Sequence, residues 1–90
     1  MPLKRCVLHD VRTLAQFYDE LALQLAFPTH FGRNLDALWD VLTGGVEGPF
    51  EIIWEKSVQS QAHLGADYSR LVSLFNDLAA ERDDFTFTLR

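Results

Sequence analysis

Cysteine is nearly absent from this chain: Cys6 stands alone among 90 residues. No internal disulfide can form, and a reducing, cytoplasmic location is expected. Long apolar runs are absent as well. Nothing approaches the ~18 residues that a membrane span requires, so no membrane association is expected. The basic N-terminal stretch MPLKRCVLHD holds no apolar segment of the kind a secretory signal needs. There is no HExxH, no CxxC, no GxSxG and no glycine-rich phosphate loop. His9, His30 and His63 share no metal-ligand spacing, so neither a metal nor a cofactor is expected. Positive charge is scarce too. Eight Lys and Arg stand against thirteen Asp and Glu, a net charge of −5. That argues against nucleic acid as a direct ligand, because phosphate binding needs a basic footprint. It suits a basic protein partner steered in electrostatically, although the same charge also serves solubility.

What is present is enough for one folded domain, residues 1–90. The chain is 48% hydrophobic and 12% aromatic, too apolar for disorder. Leu3 to His9 reads as a strand of poor alternation, with Cys6 as a small buried hydrophobe. Thr13 with Gln16 forms a capping-box pattern ahead of a helix that buries Leu14, Phe17, Tyr18, Leu21 and Leu25. That helix should stop near Ala26, since Pro28 biases Phe27 away from helical dihedrals. Phe50 to Glu55 alternates cleanly, with Phe50, Ile52 and Trp54 on one face. Lys56 to Gly65 carries a weak helical pattern. Ala66 to Arg82 carries a stronger one, with Asp67 as its cap and Leu71, Val72, Leu74, Phe75, Leu78 and Ala79 on its apolar side. Phe85, Phe87 and Leu89 mark the inward face of a last strand. Strands separated by helices imply parallel pairing with right-handed crossovers. The expected fold is therefore α/β, a small three-stranded parallel sheet with about four helices mostly on one side, in two layers.

The stretch from Phe27 to Pro49, FPTHFGRNLDALWDVLTGGVEGP, organises the rest. Gly32 supplies a positive φ in the loop, Asn34 caps a helix, and Gly44 and Gly45 end it. Gly48-Pro49 is a candidate cis peptide. Leu35, Leu38, Trp39 and Leu42 recur at i, i+3, i+4 and i+7, the buried stripe of a helix. Asp36 and Asp40, four apart, share another face and repel by ~0.2–0.5 kcal/mol. A carboxylate pair the helix does not need is a candidate docking point for a cationic partner. His30, in the loop before this helix, is a candidate contact residue. Asp77 and Glu81 lie four apart on the outer face of the later helix, where by default they are solvated charges.

The run from Gly32 through Asn34, Leu35–Asp40 and Leu42 to Gly44, with Pro28, Phe31, Val46, Glu47 and Pro49 around it, resembles the barstar family of ribonuclease inhibitors. The similarity extends through Val72, Phe75 and Glu81 to the last strand. The resemblance implies a three-stranded parallel sheet with four helices, and no catalytic residue. It implies an intracellular inhibitor, an immunity or antitoxin protein and a monomer when free, that plugs a basic barnase-like ribonuclease 1:1 with acids in place of substrate phosphates. Carried over by position, Asp40 is the central phosphate mimic, Asp36 the carboxylate beside it, and Asp77 and Glu81 further acids. Gly32, Asn34, Leu35 and Thr43 fall on the docking edge, and His30 takes the place of a contacting tyrosine. Gly45 stands where the family has a tryptophan at the rim, Asp77 is one methylene shorter than the family's glutamate, and Val41 and Asp83 replace cysteines. Two rivals stay open: a protein-binding module on the same fold with a non-nuclease partner, and a small hydrolase using His30 with Asp36 or Asp40.

Overall fold

The structure is a computed structural model that describes residues 3–90. Strand β1 (Lys4–His9) is followed by helix α1 (Leu14–Gln24), helix α2 (Leu35–Asp40) running on into a π-helical turn (Val41–Gly45), strand β2 (Phe50–Glu55), helices α3 (Ser57–Leu64) and α4 (Ala66–Glu81), and strand β3 (Phe85–Leu89). The sheet has the order β1-β2-β3 and is parallel throughout. Parallel neighbours require crossovers, and the helices supply them.

The register aligns Cys6 with Ile52 and Phe87, and Leu8 with Trp54 and Leu89. Cys6, Leu8, Phe50, Ile52, Trp54 and Phe85 are buried in one cluster with Phe17 and Leu21 of α1, Leu38 of α2 and Leu71, Phe75 and Leu78 of α4. Successive strand residues face opposite ways, so the other face shows Arg5 paired with Glu51 and His9 3.4 Å from Glu55. Val7 and Ile53 lie between these pairs. Trp54 is the hub of the core. Its ring lies 5.4 Å from Phe17 and 5.2 Å from Tyr68, and its indole N–H donates to Ser60 Oγ at 3.0 Å. Both Trp54 and Ser60 are fully buried. Outside β1, the Gln24 side-chain amide donates to Val7 O and accepts from Val7 N, both at 2.9 Å.

The helix ends show where local chemistry departs from expectation. Thr13 Oγ1 accepts from Gln16 N at 3.0 Å, as a cap should. The Gln16 side chain, however, accepts from Arg12 N rather than from Thr13 N, so the box closes one residue early. Helix α1 ends with Ala26 left-handed at φ 54 and Phe27 N donating to Ala22 O, a Schellman closure made without glycine. Asp67 does not cap α4; Gly65 holds that position at φ 59, and Asp67 pairs with Arg70 in the first turn. Ala79 is exposed and Tyr68 is buried in its place on the apolar side. Leu89 is 39% exposed, although its neighbour in the sheet, Trp54, is fully buried. The Gly48-Pro49 peptide is cis.

Candidate functional site

Helix α2 begins where Asn34 turns its backbone extended (φ −144) and its Oδ1 accepts from Ala37 N at 2.8 Å. The positive φ of the preceding loop sits on Arg33 (φ 54), not on Gly32. Gly32 is constrained by space instead: a Cβ there would lie 3.2 Å from Ala37 Cβ, tighter than ordinary contact. Arg33 turns away from the helix it precedes. It donates to Asp19 Oδ1 at 2.7 Å and to Ala15 O at 3.1 Å, with its guanidinium 5.8 Å from the Tyr18 ring. The cation nearest in sequence to Asp36 is therefore spent on α1.

Leu38 and Leu42 are buried, whereas Leu35 and Trp39 are half-buried. Four residues of α-helix turn ~40° past one full turn, so Leu42 and Val46 would drift off the Leu38 line. The wider turns of Val41–Gly45 take back that drift, and all three side chains reach the core. The helix is not stopped by a left-handed glycine. Neither Gly44 nor Gly45 has a positive φ, and the chain leaves extended at Val46. Thr43 Oγ1 donates to Trp39 O at 2.7 Å, which commits its proton to the helix. A Cβ on Gly45 would meet only Val41 at 3.6 Å, so the fold leaves room for a large side chain that this sequence lacks.

Helices α2 and α4 flank a cleft of about 490 Å³. Asp36 and Asp77 line it, with Leu35, Trp39 and Leu74 as apolar surface and Arg70, Ser69 and Ser73 on the α4 side. Asp40 and Glu81 lie outside this lining, each one turn further along its helix. His30 is exposed in the loop and makes no ion pair with Asp36 or Asp40 among the described residues. An acid–base couple of His30 with either aspartate is therefore not assembled.

The charges are not evenly partnered. Asp10, Asp19, Glu51, Asp67 and Asp84 each have an arginine, and Glu55 the His9 imidazole, within an ion-pair distance. Asp36, Asp40, Glu47, Asp77, Glu81 and Asp83 have none among the described residues, and Glu20 is the one other acid in that condition. All six belong to α2, to α4, or to the few residues that follow them. Unpaired negative charge is thus concentrated on the α2 and α4 segments, where Asp36 and Asp77 share one cleft.

Two cations near these segments escaped the sequence analysis. Arg70 shares a helix face with Asp77 at i, i+7, a signal that was there to read. Arg82 was visible only as the end of a helix. Its Nη1 donates to Leu42 O at 2.8 Å and Val46 O at 2.7 Å, while Nε and Nη2 hold Asp84 at 2.8 Å each. Elsewhere nothing reactive emerges. Burial, then the nearby Glu20 charge, push the Cys6 thiol up to about 12, so it stays protonated and inert. Among the described residues no group of His, Cys, Asp or Glu is placed to hold a metal, and no helix is long and apolar enough to cross a membrane.

A family model described as Barstar (barnase inhibitor) matches residues 1–90. A Bacillus subtilis (strain 168) protein named "Putative ribonuclease inhibitor YrdF" is 34% identical over 77 residues, which covers 84% of this chain and 85% of that protein.

Proposed function

The chain belongs to the barstar family of barnase inhibitors, and from that premise we propose that it blocks a basic, barnase-like ribonuclease by seating its α2–α4 face in the enzyme's active site, one molecule to one. The observation that supports this reading is the concentration of unpaired carboxylates on α2 and α4, two of which, Asp36 and Asp77, line the cleft between those helices. A ribonuclease active site is built from cations that hold phosphates. Carboxylates held on packed helices offer those cations the same charge without a bond to cleave.

In this reading Asp40 is the anchor, Asp36 and Asp77 supply charge from the two walls of the cleft, and Glu81 adds a further acid. Leu35, Gly32, Asn34 and Thr43 form the docking edge, and His30 is a loop contact. Thr43 acts as an acceptor, because its proton is already committed to Trp39 O. The open space at Gly45 removes contact area from the rim, which favours a ribonuclease other than barnase itself as the native target. The protein works as an intracellular immunity or antitoxin protein in a bacterium, is monomeric when free, needs no cofactor and turns over no substrate. Restraint of a lethal nuclease calls for sub-nanomolar affinity, beyond about −12 kcal/mol.

The test is titration of barnase-like ribonucleases with the purified protein, wild type beside Asp40→Ala. The expected result is complete inhibition at one equivalent and a loss of two or more orders of magnitude in the variant, because cations left buried and unpaired cost about 3–5 kcal/mol. A folded wild-type protein that inhibits no member of a panel of such enzymes would overturn the reading.

A further inference from the structure

We infer that Arg82 is a positioning residue for the acidic face: it fastens the end of the α2 segment to α4 without neutralising either. This rests on the function proposed above, since it concerns the same surface.

Acids on both α2 and α4 create a mechanical problem. Asp36, Asp40 and Glu47 lie on or just beyond the first segment, Asp77, Glu81 and Asp83 on or just beyond the second, and like charges push the two apart. A cation placed between them would hold them together but would also occupy the carboxylates a partner is to use. Arg82 takes another route. It follows Glu81 directly, and its backbone N–H closes α4 on Leu78 O. Its Nη1 reaches the backbone carbonyls of Leu42, inside the π turn that begins next to Asp40, and of Val46, the extended residue that follows it. Leu42 O is one of the last four carbonyls of its helical stretch, which lack intrahelical partners and suit a guanidinium.

The charge itself is directed elsewhere. Asp84 receives both Nε and Nη2, the Phe50 ring lies 4.9 Å beneath the guanidinium, and the side chain is only 15% exposed. A Cβ on Gly48 would run into the Asp84 carboxylate and come within 3.0 Å of Arg82 Nη2, so the turn before β2 is packed against the same pair. Three chain segments meet on one guanidinium. None of the six unpaired carboxylates is among its partners.

The experiment uses Arg82→Met, which keeps the aliphatic stem and removes the donors, and Arg82→Lys, which keeps the charge but cannot span two carbonyls and a carboxylate at once. Amide hydrogen exchange is measured on the free proteins, and association and dissociation rates with barnase as the probe. The expected result is exchange at Gly44–Glu47 accelerated about tenfold more than at β2 amides such as Ile52, and barnase released about tenfold faster, equivalent to ~1.4 kcal/mol. Association should stay within about twofold, since the acids that steer it are intact. Lysine should recover part of the melting temperature but not the dissociation rate, and it carries both readouts if the methionine variant fails to fold. Exchange that rises uniformly, or dissociation that does not change, overturns the inference. Wild-type protein that does not bind barnase agrees with a native target other than barnase, and the exchange measurement then decides the role of Arg82 by itself.

Discussion

Asp40 should weaken the fold it belongs to. It is exposed and without an ion-pair partner, and it sits one turn after Asp36. A like pair at that spacing costs ~0.2–0.5 kcal/mol. Asp36 offsets its own share, because it lies in the first turn, where an acid gains about 0.3–1 kcal/mol from the helix N-terminus. Asp40 lies a turn deeper and has no such return. Asp40→Asn should therefore stabilise the free protein by ~0.2–0.5 kcal/mol, and at about 4–8 °C per kcal/mol for a domain of this size the melting temperature rises by roughly 1–4 °C. Asp36→Asn loses the terminal interaction and should leave the melting temperature unchanged or lower. The assay is thermal unfolding of the three proteins at ~0.01 M and ~1 M salt, where the screening length falls from ~30 Å to ~3 Å. The gain in Asp40→Asn should be present at low salt and vanish at high salt, while the same substitution weakens ribonuclease inhibition. A melting temperature that falls at low salt, or a gain that persists at high salt, would refute the coulombic argument and return Asp40 to an ordinary solvated charge.

Asn34→Ala removes the side-chain acceptor for Ala37 N and should cost about 1 kcal/mol, with amide exchange at Leu35–Ala37 rising first. Ser60→Ala leaves the buried Trp54 indole N–H without a partner. The expected loss is ~1–3 kcal/mol, read by chemical unfolding and reduced when Trp54→Phe is combined with it. The acid limb of stability follows from Asp84 and Asp10, held below the usual carboxylate range by side-chain hydrogen bonds from Arg82 and Arg12. Groups depressed in the folded state contribute stability above their unfolded value of ~3.9 and lose it as pH falls through the lower folded value. Denaturation midpoints should thus decline below about pH 4, and Arg82→Met should flatten the part due to Asp84.

The elements were legible where the pattern of side chains alone decides them. Phe50–Glu55 and Phe85–Leu89 alternate, and the Leu38–Leu42 stripe repeats at helical spacing, so burial dictates strand, strand and helix. Asn34 could be read as a cap because its bond is local. What could not be read depends on contacts between distant segments. Gly32 suggested a dihedral, yet what constrains it is the approach of Ala37. Arg33 holds the left-handed position, with its side chain drawn back onto Asp19, fourteen residues away. The π turn arises from a phase error that matters only once Val46 must reach a shared core. The acids themselves were visible from spacing. That they lack partners is a property of where every arginine went, and no window of sequence contains it.

The Gln24 amide on the outer edge of β1 has a consequence for how copies of this molecule meet. A side-chain carboxamide carries the donor and acceptor of a peptide unit, so at Val7 the sheet already ends in something shaped like a fourth strand. Growth of a fibre by strand addition needs two open margins on every subunit, one to receive and one to offer. With Val7 occupied from within, strand addition along β1 loses the pair of hydrogen bonds that this residue would offer. An edge guarded in this way disfavours polymerisation of the molecule through its own sheet.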